Sequence, residues 1–250
     1  NSIISRISGQ LIDSQTLANH IALTKAIKDY SLNRVITFHG RVKGASDFAT
    51  NHLQIIKNMN VDLVSDNPKQ AVGIKTGFVS GDMPTNDRIK QINKLKDIKG
   101  DQVSILSNAR CLSEGVDVPS LDAIAFIDPR SSVVDIIQSV GRAIRKANNK
   151  THGYIILPVY LGDSEDIEDA ILSSKFKEIF KVLLALKSQD DSLNDVLDNV
   201  RMNSAKSGKL FNSSQLNRKI IFDLPQGVPT EFRDSLTTLL VERTTETWWE

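Results

Sequence analysis

With 250 residues, 40% hydrophobic and 24% charged, the chain has the length and apolar content of a packed globular protein, which excludes a disordered or collagen-like polymer. A formal net charge of +1 excludes neither a nucleic acid nor a small molecule as partner, and a single cysteine, Cys111, excludes an internal disulfide framework. No apolar run approaches the roughly 20 residues that span a bilayer, and the opening Asn1-Ser2-Ile3-Ile4-Ser5 lacks the order of a secretion signal. A cytoplasmic protein with no membrane partner is the expectation.

Residues 1–32 are expected to form a linker and a lead-in helix, the helix covering 14–30 with Leu17, Ile21, Leu23 and Ile27 on its apolar side. A short strand follows at 34–38, then Gly40. A helix is predicted over 45–57, where Ala45, Phe48, Ala49, Leu53 and Ile56 recur at helical spacing. Residues 58–75 are polar and carry no clear period. A strand at 77–80 turns through Gly81, Asp82, Met83 and Pro84 into a helix, with Thr85 as its cap and Ile89, Ile92 and Leu95 as its buried stripe. Residues 101–106 are a further strand, 107–119 a loop, and 121–127 a nearly all-apolar strand of the kind covered on both faces. A helix opens at Ser132 and carries Val134, Ile137, Val140 and Ile144; a last strand runs over 154–159.

Strands alternating with helices predict an α/β fold: a parallel sheet flanked by helices, joined by right-handed crossovers. This unit is expected over 33–162. Beyond it, 163–250 reads as a mostly helical extension, with helices at 167–186, 193–200 and 231–241, a basic linker at 204–214 and a short strand at 219–224. Arg201, Lys206, Lys209, Arg218 and Lys219 have no acidic residue between them, and Arg142, Arg145, Lys146 and Lys150 form a second basic group. Such groups mark either a phosphate-binding face or an ordinary solvated one; charge alone favours the second.

The chemistry concentrates around Gln138, Gly141, Arg142 and Arg145, on the helix after 121–127. Arg142 and Arg145 are three apart and share a helical face. Two guanidinium forks suit a multiply charged phosphate, and Gly141 leaves room beside them. Taken alone, the pair is equally compatible with an exposed helix. The stretch 105–119, containing Glu114, Gly115, Val116 and Asp117, alters the balance. It closely resembles motif V of superfamily 2 helicases, and the spacing to Gln138, Gly141, Arg142 and Arg145 resembles that from motif V to motif VI. Residues 34–40 resemble motif IV, and 80–84 with Arg88 resemble the glycine turn and arginine that come after it. Residues 153–160 and 176–187 are similar to a bacterial group of predicted helicases that includes motors fused to restriction nucleases and methyltransferases.

The resemblance implies a RecA-like second lobe of a helicase. It implies that Arg145, as arginine finger, with Arg142 and Gln138, meets the phosphates of ATP held by another lobe. Gly115, Asp117, Glu114 and Gly141 would line the nucleotide, with Asp117 accepting from a ribose hydroxyl. Ser107 and Asn108, with His39, Gly40, Arg41, Gly81 and Arg88, would touch a nucleic-acid backbone, the sequence-blind contact a motor needs. ATP and Mg²⁺ are the implied cofactors. DNA and the N-terminal RecA-like lobe of the same protein are the implied partners.

The chain contains no Gly-x-x-x-x-Gly-Lys-Ser/Thr loop and no Asp-Glu-x-x box after a strand. This segment alone is therefore expected to be inactive, and those parts are expected ahead of Asn1. The absence of an initiator Met and the ending at Trp248, Trp249 and Glu250 fit a segment of a longer chain, the last residues entering a helicase-associated domain. Cys111 is expected to be buried and inert, and His20 and His52 to lie at the surface or its boundary. No histidine has metal-ligand spacing. Three alternatives remain open at this level: an RNA helicase lobe, an inert RecA-like module that binds nucleic acid or a partner, and a self-contained nucleotide-binding α/β enzyme.

Overall fold

The computed structural model describes residues 4–7, 10–59, 73–109, 111, 121–128, 152–158, 174–187, 191–207, 220, 221, 223, 234–239 and 241. The helix expected from Ser132 lies outside them. The chain divides into two compact units, Asn1–Tyr160 and Leu161–Glu250.

The first unit begins with β1 (Ile4–Ile7) and β2 (Gln10–Asp13), an antiparallel pair where the sequence pattern points to a linker. Helix α1 (Ser14–Asp29) comes directly after. Asp13 caps it, one carboxylate oxygen accepting from the Thr16 amide at 2.8 Å and the other from the Thr16 hydroxyl at 2.8 Å. Then come β3 (Arg34–His39), α2 (Val42–Asn58), β4 (Ile74–Ser80), α3 (Thr85–Lys96), β5 (Val103–Ala109), β6 (Ala123–Asp128) and β7 (Tyr154–Ile156). The five strands after α1 form one sheet in the order β4-β5-β3-β6-β7, with every pairing parallel.

Side-chain alternation gives the sheet its two faces. Val35, Val103, Ile105, Ala123 and Ala125 share a core with Leu23, Ala26 and Ile27 of α1 and Phe48 and Ile56 of α2. Ile36, Phe38, Ile124 and Phe126 take the other face, where the Phe38 and Phe126 rings lie 5.5 Å apart. The amino ends of the strands are fastened by two side chains. Asp122 accepts from the backbone N–H groups of Asn33 at 2.9 Å and Arg34 at 2.8 Å. Asn33 in turn donates to the Gln102 carbonyl at 3.1 Å. The starts of β3, β5 and β6 are thereby locked in register.

Several expectations need correcting. β5 runs through Ala109, so Ser107 and Asn108 are strand residues, not the start of a loop; β3 and β4 pair with it on both sides to that point. β7 stops at Ile156, and Pro158 has no N–H to extend its ladder. Thr85 is the first residue of α3 rather than its cap. Pro84 holds the cap position, and its carbonyl accepts from Asp87 at 3.0 Å and Arg88 at 3.1 Å. Ile89 is 49% exposed, so the buried side of α3 is Ile92 and Leu95. The inner face of α1 carries Asn19, His20 and Thr24 beside Leu23 and Ile27, whereas Leu17 and Ile21 are half-buried.

In the second unit, α4 (Ser174–Lys187) and α5 (Asp191–Ser207) pack through Leu183, Leu193 and Leu197, joined by Val241. Residues 204–207 are thus helical, not linker, and 220, 221 and 223 are not in a strand. Among the described residues no helix is long and apolar enough to cross a membrane.

Candidate functional site

All five sheet strands point the same way, so the segments leaving their carboxyl ends collect at one edge, where open parallel sheets bind ligands. The register aligns Ser80, Ala109, His39 and Asp128 as a row of partners across β4, β5, β3 and β6. At about 4.8 Å per strand the row is about 14 Å long. Just past it stand Gly40 and Arg41, leading into α2; Gly81, leading towards α3; and Cys111. The Gly81 amide donates to the Ala109 carbonyl at 3.3 Å, which fastens the exit of β4 to that of β5. A register shift between Phe38 and His39 gives β6 an extra residue, Ile127, at the same edge. Its carbonyl accepts from Asn19 at 3.4 Å.

Arg41 is exposed and occupies the cap position of α2, which has no side-chain cap and no acidic residue in its first turn. An exposed cation beside open helix amides is a favourable place for an anion. Arg88 lies in the first turn of α3, half-buried, with Nη2 3.4 Å from the Thr85 hydroxyl. Its charge reaches Cys111, whose thiol burial pushes up to about 11, Arg88 opposing the shift. The thiol also donates to Asn108 Oδ1 at 3.1 Å and stays protonated at neutral pH.

Ser107 and Asn108 occupy a different place from the one expected. They are 0% and 2% exposed. The Ser107 hydroxyl accepts from Thr37 at 3.0 Å, and Asn108 Oδ1 accepts from the Cys111 amide at 3.3 Å. Both therefore support the edge from beneath. His39 is also turned inward, its Nε2 2.9 Å from Thr37 Oγ1. Gly40 is buried, while Arg41, Gly81 and Arg88 present exposed or half-buried groups. Glu114, Gly115, Asp117, Gln138, Gly141, Arg142 and Arg145 lie outside the described residues. The segments that carry them leave from the ends of β5 and β6, on the aligned row.

Three histidines gather around Phe48 under this edge. His20 stacks on the Phe48 ring at 4.0 Å, with His39 at 5.1 Å and His52 at 5.4 Å. His20 and His52 face each other, Nδ1 to Nδ1, at 2.7 Å. Burial pushes all three below their ordinary value, His20 to about 3 and His39 and His52 to about 4; for His20 the neighbouring rings add to the effect. The expectation of surface positions for His20 and His52 is thus overturned, since they are 1% and 0% exposed. The signal is present in the spacing. His20 keeps helical step with Leu23 and Ile27, as His52 does with Phe48 and Ile55, once histidine is admitted as a core residue. Among the described residues, no group of His, Cys, Asp or Glu is arranged to hold a metal ion.

The sequence profile of the helicase conserved C-terminal domain matches residues 19–147, more than half of the chain. The chain belongs to the helicase C-terminal domain family. This helicase lobe is 40% identical over 86 residues to the probable helicase A859L of African swine fever virus, a match covering 34% of the chain and 9% of the relative. It is 28% identical over 188 residues to the uncharacterized killer plasmid pGKL-2 helicase of Kluyveromyces lactis, covering 70% of the chain and 30% of the relative. The chain thus spans under a third of these relatives. Its fold is similar to part of the ATP-dependent Type ISP restriction-modification enzyme LlaBIII bound to DNA, with a TM-score of 0.69 at 23% identity, covering 95% of this chain and 15% of that one. The fold is accordingly RecA-like, a five-stranded parallel sheet flanked by helices.

Proposed function

We propose that this helicase lobe is the second motor lobe of an ATP-dependent DNA helicase or translocase. In this reading residues 33–162 are the motor lobe and 163–250 begin a helicase-associated region. The observation that carries it is the strand order β4-β5-β3-β6-β7, all parallel, which gathers the exits of four strands at one edge. Arg41 and Arg88, with the glycine turns at Gly40 and Gly81, form the part of the edge that meets nucleic-acid phosphates. Both guanidiniums supply charge and planar donors, and contacts from them to phosphate would carry no base identity, as a moving lobe requires. Ser107 and Asn108 hold that surface from inside.

On the same edge, the segments after β5 and β6 carry the nucleotide-facing residues. Asp117, with Gly115, Glu114 and Gly141, would accept and make room for the ribose and phosphates. Gln138, Arg142 and Arg145 would face the γ-phosphate, Arg145 as the finger that spreads transition-state charge. ATP and Mg²⁺ would be held mainly by a first lobe, Mg²⁺ offsetting phosphate charge when bound. The chemistry of the donor set suits this division, because Arg41 and Arg88 offer cations for phosphate. Two features favour DNA over RNA: a motif VI that opens on Gln138 rather than a histidine, and the fold match to an enzyme bound to DNA.

The test is DNA-stimulated ATP hydrolysis by the full-length protein. Arg145→Ala is expected to lower turnover by about 10³-fold or more while the folded state persists. Unchanged turnover in a folded Arg145→Ala protein contradicts the finger assignment. Stimulation by RNA but not by DNA favours the RNA helicase reading.

A further inference from the structure

The sequence marks His39 as a residue that touches phosphate, yet its ring is 7% exposed and packed on Phe48. Its contacts give it another task. The Thr37 hydroxyl bonds Ser107 Oγ at 3.0 Å, across the boundary between β3 and β5. The same Thr37 oxygen bonds His39 Nε2 at 2.9 Å. Nδ1 faces the first turn of α2, 3.9 Å from where a Cβ on Gly44 would stand. That turn has no side-chain cap, and its amides form the positive end of the helix. The ring, held by Thr37, thus backs the turn from inside, with the exposed Arg41 at its start.

We propose that His39 is a positioning residue. From beneath, it sets the Gly40–Arg41 turn and the start of α2 for backbone contact, and through Thr37 and Ser107 it couples that turn to β5. This inference rests on the assignment of Arg41 to nucleic acid. It differs from a purely structural role in one respect: part of the ring's effect is exerted through Arg41. Ser107 lies two residues before the end of β5, the strand that leads into the segment with Asp117. The same chain of hydroxyls therefore links the two ligand-facing segments by contacts of 2.9 and 3.0 Å.

The experiment measures ATP hydrolysis by the full-length protein against DNA concentration. His39→Phe keeps a ring on Phe48 and removes both nitrogens, whereas His39→Gln keeps an amide able to donate to or accept from Thr37. His39→Phe is expected to raise the half-saturating DNA concentration about tenfold, the size of one lost hydrogen bond to a charged partner. Turnover at saturating DNA should change far less, and His39→Gln should recover part of the loss. Combined with Arg41→Ala, His39→Phe should add little, since its effect passes through the arginine. Full additivity of the two changes, or a half-saturation unaltered by His39→Phe while DNA still stimulates the parent, overturns the inference alone. A parent protein that DNA does not stimulate, or an Arg41→Ala variant with unchanged half-saturation, overturns the underlying assignment and this inference with it.

Discussion

Lowering the pH from 7.5 to 5.5 is expected to weaken the first unit by about 4 kcal/mol, through three rings that have no place for a proton. In the unfolded chain each of His20, His39 and His52 titrates near 6.5; in the folded chain burial holds them at about 3, 4 and 4. The folded values are depressed, so this stability is fully present above 6.5 and is lost as pH falls towards the folded values. At pH 5.5 the unfolded chain is about nine-tenths protonated at each ring while the folded chain is almost unprotonated, a difference of about 1.4 kcal/mol per ring. That figure depends on the unfolded value and the pH, and hardly on how deep the folded depression runs. Set against a typical domain stability of about 5–15 kcal/mol, the loss is large. The assay is amide hydrogen exchange of peptides covering β3 and β5 at pH 7.5, 6.5 and 5.5, corrected for intrinsic rates. Protection should fall steeply below 6.5, and replacing two of the rings in His20→Phe/His52→Leu should cut the pH dependence to about a third. Protection that stays level down to pH 5.5 would show that all three rings accept their protons in the folded state, and the packing around Phe48 would need another account.

Phe48→Ala removes the ring on which all three histidines pack and should cost about 3–5 kcal/mol, read as a lower urea midpoint at pH 7.5. Asp122→Ala leaves the Asn33 and Arg34 amides without the carboxylate that now accepts from both, and should cost about 2–4 kcal/mol in the same melt; Asp122→Asn should recover part of it. Arg41→Ala and Arg88→Ala should each weaken DNA binding by the full-length protein to a similar degree on unrelated sequences, and each should lower the slope of log K against log salt by about 1.

Much of this fold is legible in the sequence, because a parallel α/β unit writes its pattern in continuous apolar strands. Residues 121–127 announce β6, and Ala45, Phe48, Ala49 and Ile56 announce α2. The misreadings share a cause, which is polar residues that a tertiary partner makes acceptable inside. Ser107 and Asn108 resemble loop residues until Thr37 and Cys111 are seen to satisfy them. His20, Asn19 and His52 resemble surface residues until their rings and amides find one another and Ile127. Local pattern carries hydrophobicity and spacing, but it does not carry the identity of a partner 70 or 108 residues away. The hairpin of β1 and β2 is invisible in the sequence because four-residue strands of mixed polarity have no period long enough to detect. In the candidate site, Gly40, Arg41, Gly81 and Arg88 stand out by motif likeness, and the sheet explains why segments so far apart in sequence share an edge.

The two ends of the sheet are built differently, and under the proposed motor reading the difference would bear on how the lobe transmits force. At the amino ends, Asp122, Asn33 and Gln102 tie three strands through hydrogen bonds of 2.8 to 3.1 Å, so register there is fixed. Towards the carboxyl ends, β3 and β5 are joined by the Thr37–Ser107 bond between side chains as well as by their backbone ladder. An apolar pair at the same place would fill the space equally well but would impose no direction. A hydroxyl pair holds each strand by a bond that weakens steeply on misalignment. In the proposed reading, a displacement of Arg41 by a bound backbone that carried β3 with it would either move β5 or strain the buried Thr37–Ser107 bond. Breaking a buried bond is costly, because the groups left behind are far from water. Concerted movement of the two segments proposed to face ligand would be the cheaper outcome, and it would follow from two small polar residues at positions where a sheet of this kind ordinarily carries valine or isoleucine.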